Sequence, residues 1–494
     1  MATPSDSAFT QSVSALVTKI NDATQAKESL FEQAEIYFQS SQSQARTITQ
    51  LTQDVEEKRR TIDSALNEIQ KNQFREFHNK AQKALNDERS KQSRLRYARL
   101  ASLNQICTEI IQLCEGTSWQ ETQQKSARVL ATLLLTCPTE GKTVAQTHQR
   151  CKPFYKAVLS LRLLDQMLRN EQVENPYVVS RFNEASRFSK PAKAPQNLNL
   201  FQKDVAIPLI SASMLQDIGM QHPEIQRLLK GSDGSQDPYR VLEKEVRVPL
   251  LIMNHEQTID YANNGLGEGQ YSEENDDSAQ FKERKERFDK SETNRARLLL
   301  SMLNGAIKPK EAVGSALKAA QIYTSIVLST KPNFNFADLP KATKVVLHSA
   351  QKGALTLTSA QSLQQVVGNF PMGFGVVFCH EKISDKAEKN YAYALVNMLN
   401  PPKANDPHCR IINSLSPEYP AGKQTVIPQQ QNLYFEDAFN QFSALAEKHL
   451  DTLAQNIAEK LAQPRGKDTL PNHWSAYAYF HFKKQQNFWL QHKK

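Results

Sequence analysis

The chain has 494 residues, 39% of them hydrophobic and 23% charged, which is the balance of a folded protein rather than a disordered one and suits two to four domains. Its net charge of +9 is unevenly placed: residues 465–494 hold six basic residues and one acid, so +5 lies in the tail and the near-balanced remainder argues against a general nucleic-acid-binding surface. The longest strongly apolar run, VLATLLLTC at 129–137, is too short to span a bilayer, and MATPSDSAFTQS lacks the basic and apolar regions of a secretory signal, so a cytoplasmic location is expected. Six cysteines at 107, 114, 137, 151, 379 and 409 show no C-x-x-C spacing and fit reduced thiols.

Residues 5–115 contain no glycine or proline, and Ala34, Phe38, Ala45, Ile48, Val55, Ile62, Leu66 and Ile69 recur at spacings near one helical face. This predicts a long amphipathic helix or helical hairpin, with coiled-coil dimerisation and folding back onto its own domain equally open. Gly116 and Ser118 end the stretch, and ARVLATLLL and FYKAVLSLRLLDQML are the buried faces of further helices over 120–172. KPAKAPQNLN (190–199) reads as a loop, 203–229 as helix broken at Pro208 and near Gly219, and KGSDGSQDP (230–238) as a turn cluster. An acidic loop passing into a charged helix covers 268–290, and three or four helices follow over 292–366. From about 367 glycines and β-branched residues predict two or three short strands ending near Pro401–Pro402, before an amphipathic helix over 435–463.

The expected fold is therefore mainly α. A helical arm spans 1–115, a helical connector 116–200, an all-α central domain 201–366, a small β subdomain 367–430, and a C-terminal helix with a basic aromatic tail 431–494.

Five words carry a family resemblance. They are ASMLQDIGMQHP, NHEQTIDYANNGLG (254–267), AAQIYTSIVLSTKPNF (319–334), LQQVVGNFPMGFGVVF (363–378) and YALVNMLNPP (393–402). In this order they resemble the HD-GYP branch of the HD-domain phosphohydrolases, over roughly 170–412. The resemblance implies an all-α HD-type domain, and its active members hydrolyse cyclic di-GMP. That chemistry needs metal ions bridged by a carboxylate and completed by imidazoles, which activate a bridging water.

Several ligand positions that the resemblance implies hold other residues here. The upstream histidine falls on Asn175, the histidine of the doublet on Gln216, the first of the paired histidines on Asn254, and two aspartates on Gln321 and Thr324. Asp217, His255, Glu256 and Asp260 remain as candidate remnant positions, with His222 as a stand-in. The GYP word becomes GLG at 265–267. Two or three weak ligands do not hold a dinuclear cluster against water. Neutral side chains also relieve the like-charge repulsion of an empty carboxylate cage.

The expectation is a catalytically silent, degenerate HD-GYP-like domain with no resident cofactor. It would act as a regulator or scaffold of the bacterial cyclic-di-GMP type, docking a protein through helical surfaces. A bound cyclic dinucleotide would meet Lys331, Arg240 or Arg247. Two alternatives stand beside it: an active phosphodiesterase using iron or manganese, and a helical interaction protein unrelated to nucleotides. The tail HWSAYAYFHFKKQQNFWLQHKK (473–494) offers either a membrane-surface or acidic-partner contact, or a terminal helix docked through its aromatics; docking is favoured.

Overall fold

A computed structural model describes residues 6–188, 198–269, 271, 278–307, 309, 311–379, 391–413, 421–446 and 471–489. The fold is mainly α with one small antiparallel sheet, as expected. None of the described helices is long and apolar enough to cross a membrane.

The chain opens with α1 (Ala8–Asn21), α2 (Leu30–Asp63) and α3 (Glu68–Cys114). Ser29 starts α2 through a reciprocal capping box with Glu32, which satisfies donors that the first turn leaves open. Of the long helix or helical hairpin expected here, the structure has two long helices joined at residues 64–67. No residue from 39 to 80 is buried, so Ala45, Ile48, Val55, Ile62, Leu66 and Ile69 give no core, unlike Ala34 and Phe38.

Next come α4 (Trp119–Leu135), capped by Ser118, then α5 (Val144–Arg169) and the single turn α6 (Pro176–Val179). The predicted loop over 190–199 lies mostly outside the described residues. The 203–229 stretch is broken as expected. A π-turn at Gln202–Ala206 precedes α7 (Ile207–Leu215), because Pro208 has no N–H to continue an α register. A 3-10 turn, Ile218–Gln221, then leads to α8 (Pro223–Lys230). The helical series continues with α9 (Lys244–Asp260), a π-turn at Tyr261–Gly265, α10 (Ala279–Gly305), α11 (Ala312–Val327), α12 (Ala342–Gln351) and α13 (Leu357–Val367).

The sheet is larger than the sequence suggests. Strands β1 (Gly375–Cys379), β2 (Tyr391–Val396), β3 (His408–Asn413) and β4 (Gln424–Val426) form an antiparallel meander. After α14 (Glu436–Ala446), the tail supplies β5 (His473–Trp474), and the order is β4-β3-β2-β1-β5. The rest of the predicted 435–463 helix lies outside the described residues.

The chain forms two compact units built from non-consecutive stretches. The larger comprises Met1–Val17, Thr108–Ser213 and Asn304–Lys494; the smaller comprises Thr18–Cys107 and Met214–Leu303. The arm expected at 1–115 and the central domain expected at 201–366 are therefore each divided between the units. Compactness follows packing rather than chain order.

The larger unit is organised around a buried ion cluster. Glu115 accepts from Arg162 Nη2 at 2.7 Å, from Arg187 Nη1 at 3.1 Å and from Gln202 Nε2 at 2.7 Å, while Asp165 accepts from Arg187 Nε at 3.0 Å and pairs with Arg162. Burial pushes the Glu115 carboxyl up, but the Arg187 and Arg162 guanidiniums outweigh it and hold the group well below its usual range. The two acids and two arginines balance in charge, which is what makes their burial tolerable.

Candidate functional site

In the smaller unit the doublet sits where α7 ends. Gln216 is buried, and Asp217 heads the following 3-10 turn without capping it through its side chain. Asn254 comes from α9, and its Nδ2 donates to the Gln216 carbonyl at 3.1 Å. This fixes the amide's orientation and leaves Asn254 Oδ1 beside Gly219. Gly219 packs hard against α9: a Cβ there would lie 2.2 Å from the Asn254 carbonyl oxygen. Its N–H is satisfied by Thr258 Oγ1 at 3.2 Å. The structure thus brings the first two motif words together through backbone contact.

What these side chains offer is acceptors. Gln216 Oε1 and Asn254 Oδ1 are buried with no hydrogen-bond partner among the described residues. The same holds for Thr324 Oγ1 in the larger unit. Three of the five positions where the resemblance implies replaced ligands therefore carry a buried polar oxygen with no partner among the described residues, a state native proteins seldom leave unexplained. The other two have local duties. Asn175 caps α6 by accepting from Val178 N at 3.2 Å, and Gln321 Oε1 accepts from Lys318 Nζ at 3.2 Å.

The remnant positions are dispersed in role. His222 caps α8, its Nδ1 accepting from Glu224 N at 3.3 Å while the ring meets Phe38 edge-on. Asp260 accepts from Tyr37 Oη and from Asn264 Nδ2, both at 2.8 Å. Burial, followed by that hydrogen bond and the charge of Asp260, raises the Tyr37 phenol above its ordinary value. His255 is half-buried and Glu256 exposed. Among the described residues, no three His, Cys, Asp or Glu side chains gather in a metal-binding group.

The candidate phosphate contacts are also placed separately. Arg240 holds the carbonyl oxygens of Leu228, Leu229 and Asp237, locking the turn after α8, and Arg247 is exposed on α9. Lys331 follows α11 in the larger unit.

Two residues that the sequence did not single out hold the GLG word. Arg96 Nε donates to the Leu266 carbonyl at 2.9 Å and Nη2 to that of Asn263 at 3.0 Å, while Arg99 Nε reaches the Gly265 carbonyl at 2.7 Å. Gly267 N returns a bond to the Arg96 carbonyl at 3.1 Å. The carbonyls freed by the π-turn are thus taken by α3. The only available signal was two arginines three apart in an arginine-rich helix, which ordinarily reads as a solvated face.

In the larger unit the VVGNFPMGFG and LNPP words adjoin. Asn369 N donates to the Ala404 carbonyl at 2.7 Å and Asn400 N to that of Val366 at 2.8 Å. Gly368, at φ +66, turns the chain against Pro401. Phe374 stacks on Phe336 at 5.1 Å. No protein-family model, curated protein or solved structure matches this chain.

Proposed function

We propose that this chain is a non-catalytic regulatory or scaffold protein, built on a degenerate HD-GYP-like helical domain of the cyclic-di-GMP signalling type. The observation that carries the reading is the chemistry at the replaced ligand positions. Gln216, Asn254 and Thr324 present neutral, buried oxygens where the resemblance implies imidazoles and carboxylates. Neutral oxygens neither supply the negative charge that offsets a divalent cluster nor lower the pKa of a bridging water. His222 and Asp260 are committed to capping and to Tyr37. The adjoining VVGNFPMGFG and LNPP words lend support to the family reading.

Docking of a protein partner is supported by α9. Val246, Val248, Leu251 and Ile252 are exposed on this helix, giving apolar surface of the kind that partner helices cover. The test is a metal-loading and turnover experiment on the full chain. After incubation with manganese or iron, the protein is expected to retain no stoichiometric metal and to leave cyclic di-GMP intact. Retained metal together with turnover would overturn the proposal. Calorimetric titration with cyclic di-GMP then separates a nucleotide-responsive regulator, which gives saturable heat, from a purely protein-docking scaffold.

A further inference from the structure

Two cysteines that no motif uses lie against each other in the larger unit. Cys137 follows the cap of α4, and Cys151 lies on α5 after the intervening loop. Their Sγ atoms are 3.7 Å apart, with the Cys137 thiol also within reach of the Leu133 carbonyl at 3.1 Å. Both side chains are buried. A disulfide needs about 2.05 Å between sulfurs, so closure requires an approach of roughly 1.7 Å. Cys137 sits in a turn rather than within a helix, which gives that approach somewhere to come from.

We propose that Cys137 and Cys151 are a redox pair that a hydroperoxide converts to an intrachain disulfide, stapling the end of α4 to α5. The peroxide first oxidises one thiol to a sulfenic acid and is itself reduced, releasing water from hydrogen peroxide or the alcohol from an alkyl hydroperoxide. The sulfur of the second thiol then attacks the sulfenic sulfur. The S–S bond forms as the S–O bond breaks, and the departing hydroxide leaves with the second thiol's proton as another water. Two thiols thus supply the two electrons that the peroxide takes up. The contact with Cys151, and then burial, push the Cys137 thiol well above its ordinary value. The first oxidation is therefore slow, while the second step is intramolecular and fast. The loop closed is short, and linking it limits the unfolded chain, so the oxidised form is the more heat-stable one.

The experiment treats the native full chain with hydrogen peroxide, blocks remaining thiols, and maps peptides by mass spectrometry. The expected result is a peptide pair joined at Cys137 and Cys151, reversed by dithiothreitol, with Tm raised by several degrees. Recovery of both residues as free thiols, as sulfinic or sulfonic acids, or joined to other cysteines would overturn the proposal. Cys151→Ala should abolish the linked pair and leave Cys137 open to over-oxidation. If that variant does not fold, the wild-type peptide map decides alone.

Discussion

Glu115 joins Arg162, Arg187 and Gln202 in the buried ion cluster of the larger unit. With Glu115→Gln, Arg162 and Arg187 stay buried beside a neutral amide. Removing one partner of a buried pair costs about 3–5 kcal/mol, far more than a surface ion pair, and urea unfolding should show that loss. His148 supplies a pH dependence. Its ring is buried, with Nδ1 2.7 Å from the Ser329 carbonyl and a T-shaped contact with Phe334. Burial lowers its pKa from 6.5 to about 4. The folded state therefore keeps the ring neutral while the unfolded state takes up a proton. Stability is complete above about pH 6.5 and declines as pH falls towards 4, by up to about 3 kcal/mol. His148→Gln should flatten that part of a stability-versus-pH curve. An unchanged slope would assign the acid sensitivity to other groups. Neither residue was legible as important in the sequence. A lone glutamate after a helix and a lone helical histidine gain their roles from residues far along the chain.

The elements were legible where periodicity is local. The breaks near Pro208 and Gly219, the helices after 292 and the appearance of strands beyond 367 all follow from residue types within a few positions of each feature. The tail was legible in part. Its aromatics do dock: Phe480 and Phe488 are buried, and the Trp474 and Trp489 indoles donate to the Ala394 and Asn397 carbonyls at 3.0 and 2.8 Å. They do so through β5 and short turns rather than one helix, because β1 offers an edge at Gly375 and Val376 that the tail pairs with. Lys483, Lys484 and Phe482 are left outward. Gly375 is what lets β5 approach, since a Cβ there would lie 2.2 Å from the Trp474 carbonyl oxygen. Phe480→Ala should cost about 3–5 kcal/mol in chemical unfolding, as expected for a large aromatic lost from a core. A cost near zero would favour the membrane-surface or acidic-partner contact over docking.

At the scale of the whole molecule, the two compact units interleave in sequence, and each of their four boundaries falls inside a helix: α1, α3, α7 and α10. No composition shift marks such boundaries, which is why reading in consecutive segments did not find them. The candidate site was legible to a different depth. The motif words picked out Gln216, Asn254 and Thr324 as positions where the resemblance implies ligands. They did not predict that Gln216, Asn254 and Thr324 would hold buried oxygens with no partner among the described residues, or that Arg96 and Arg99 would hold the GLG loop. Those facts depend on where side chains point, not on their identity. The central proposal, that the chain is a degenerate HD-GYP-like regulator without hydrolase chemistry, meets its most direct test in a cyclic di-GMP hydrolysis assay on the manganese- or iron-loaded full chain. The account predicts no linear or mononucleotide product above the protein-free control. Metal-dependent product formation that saturates with substrate would contradict it.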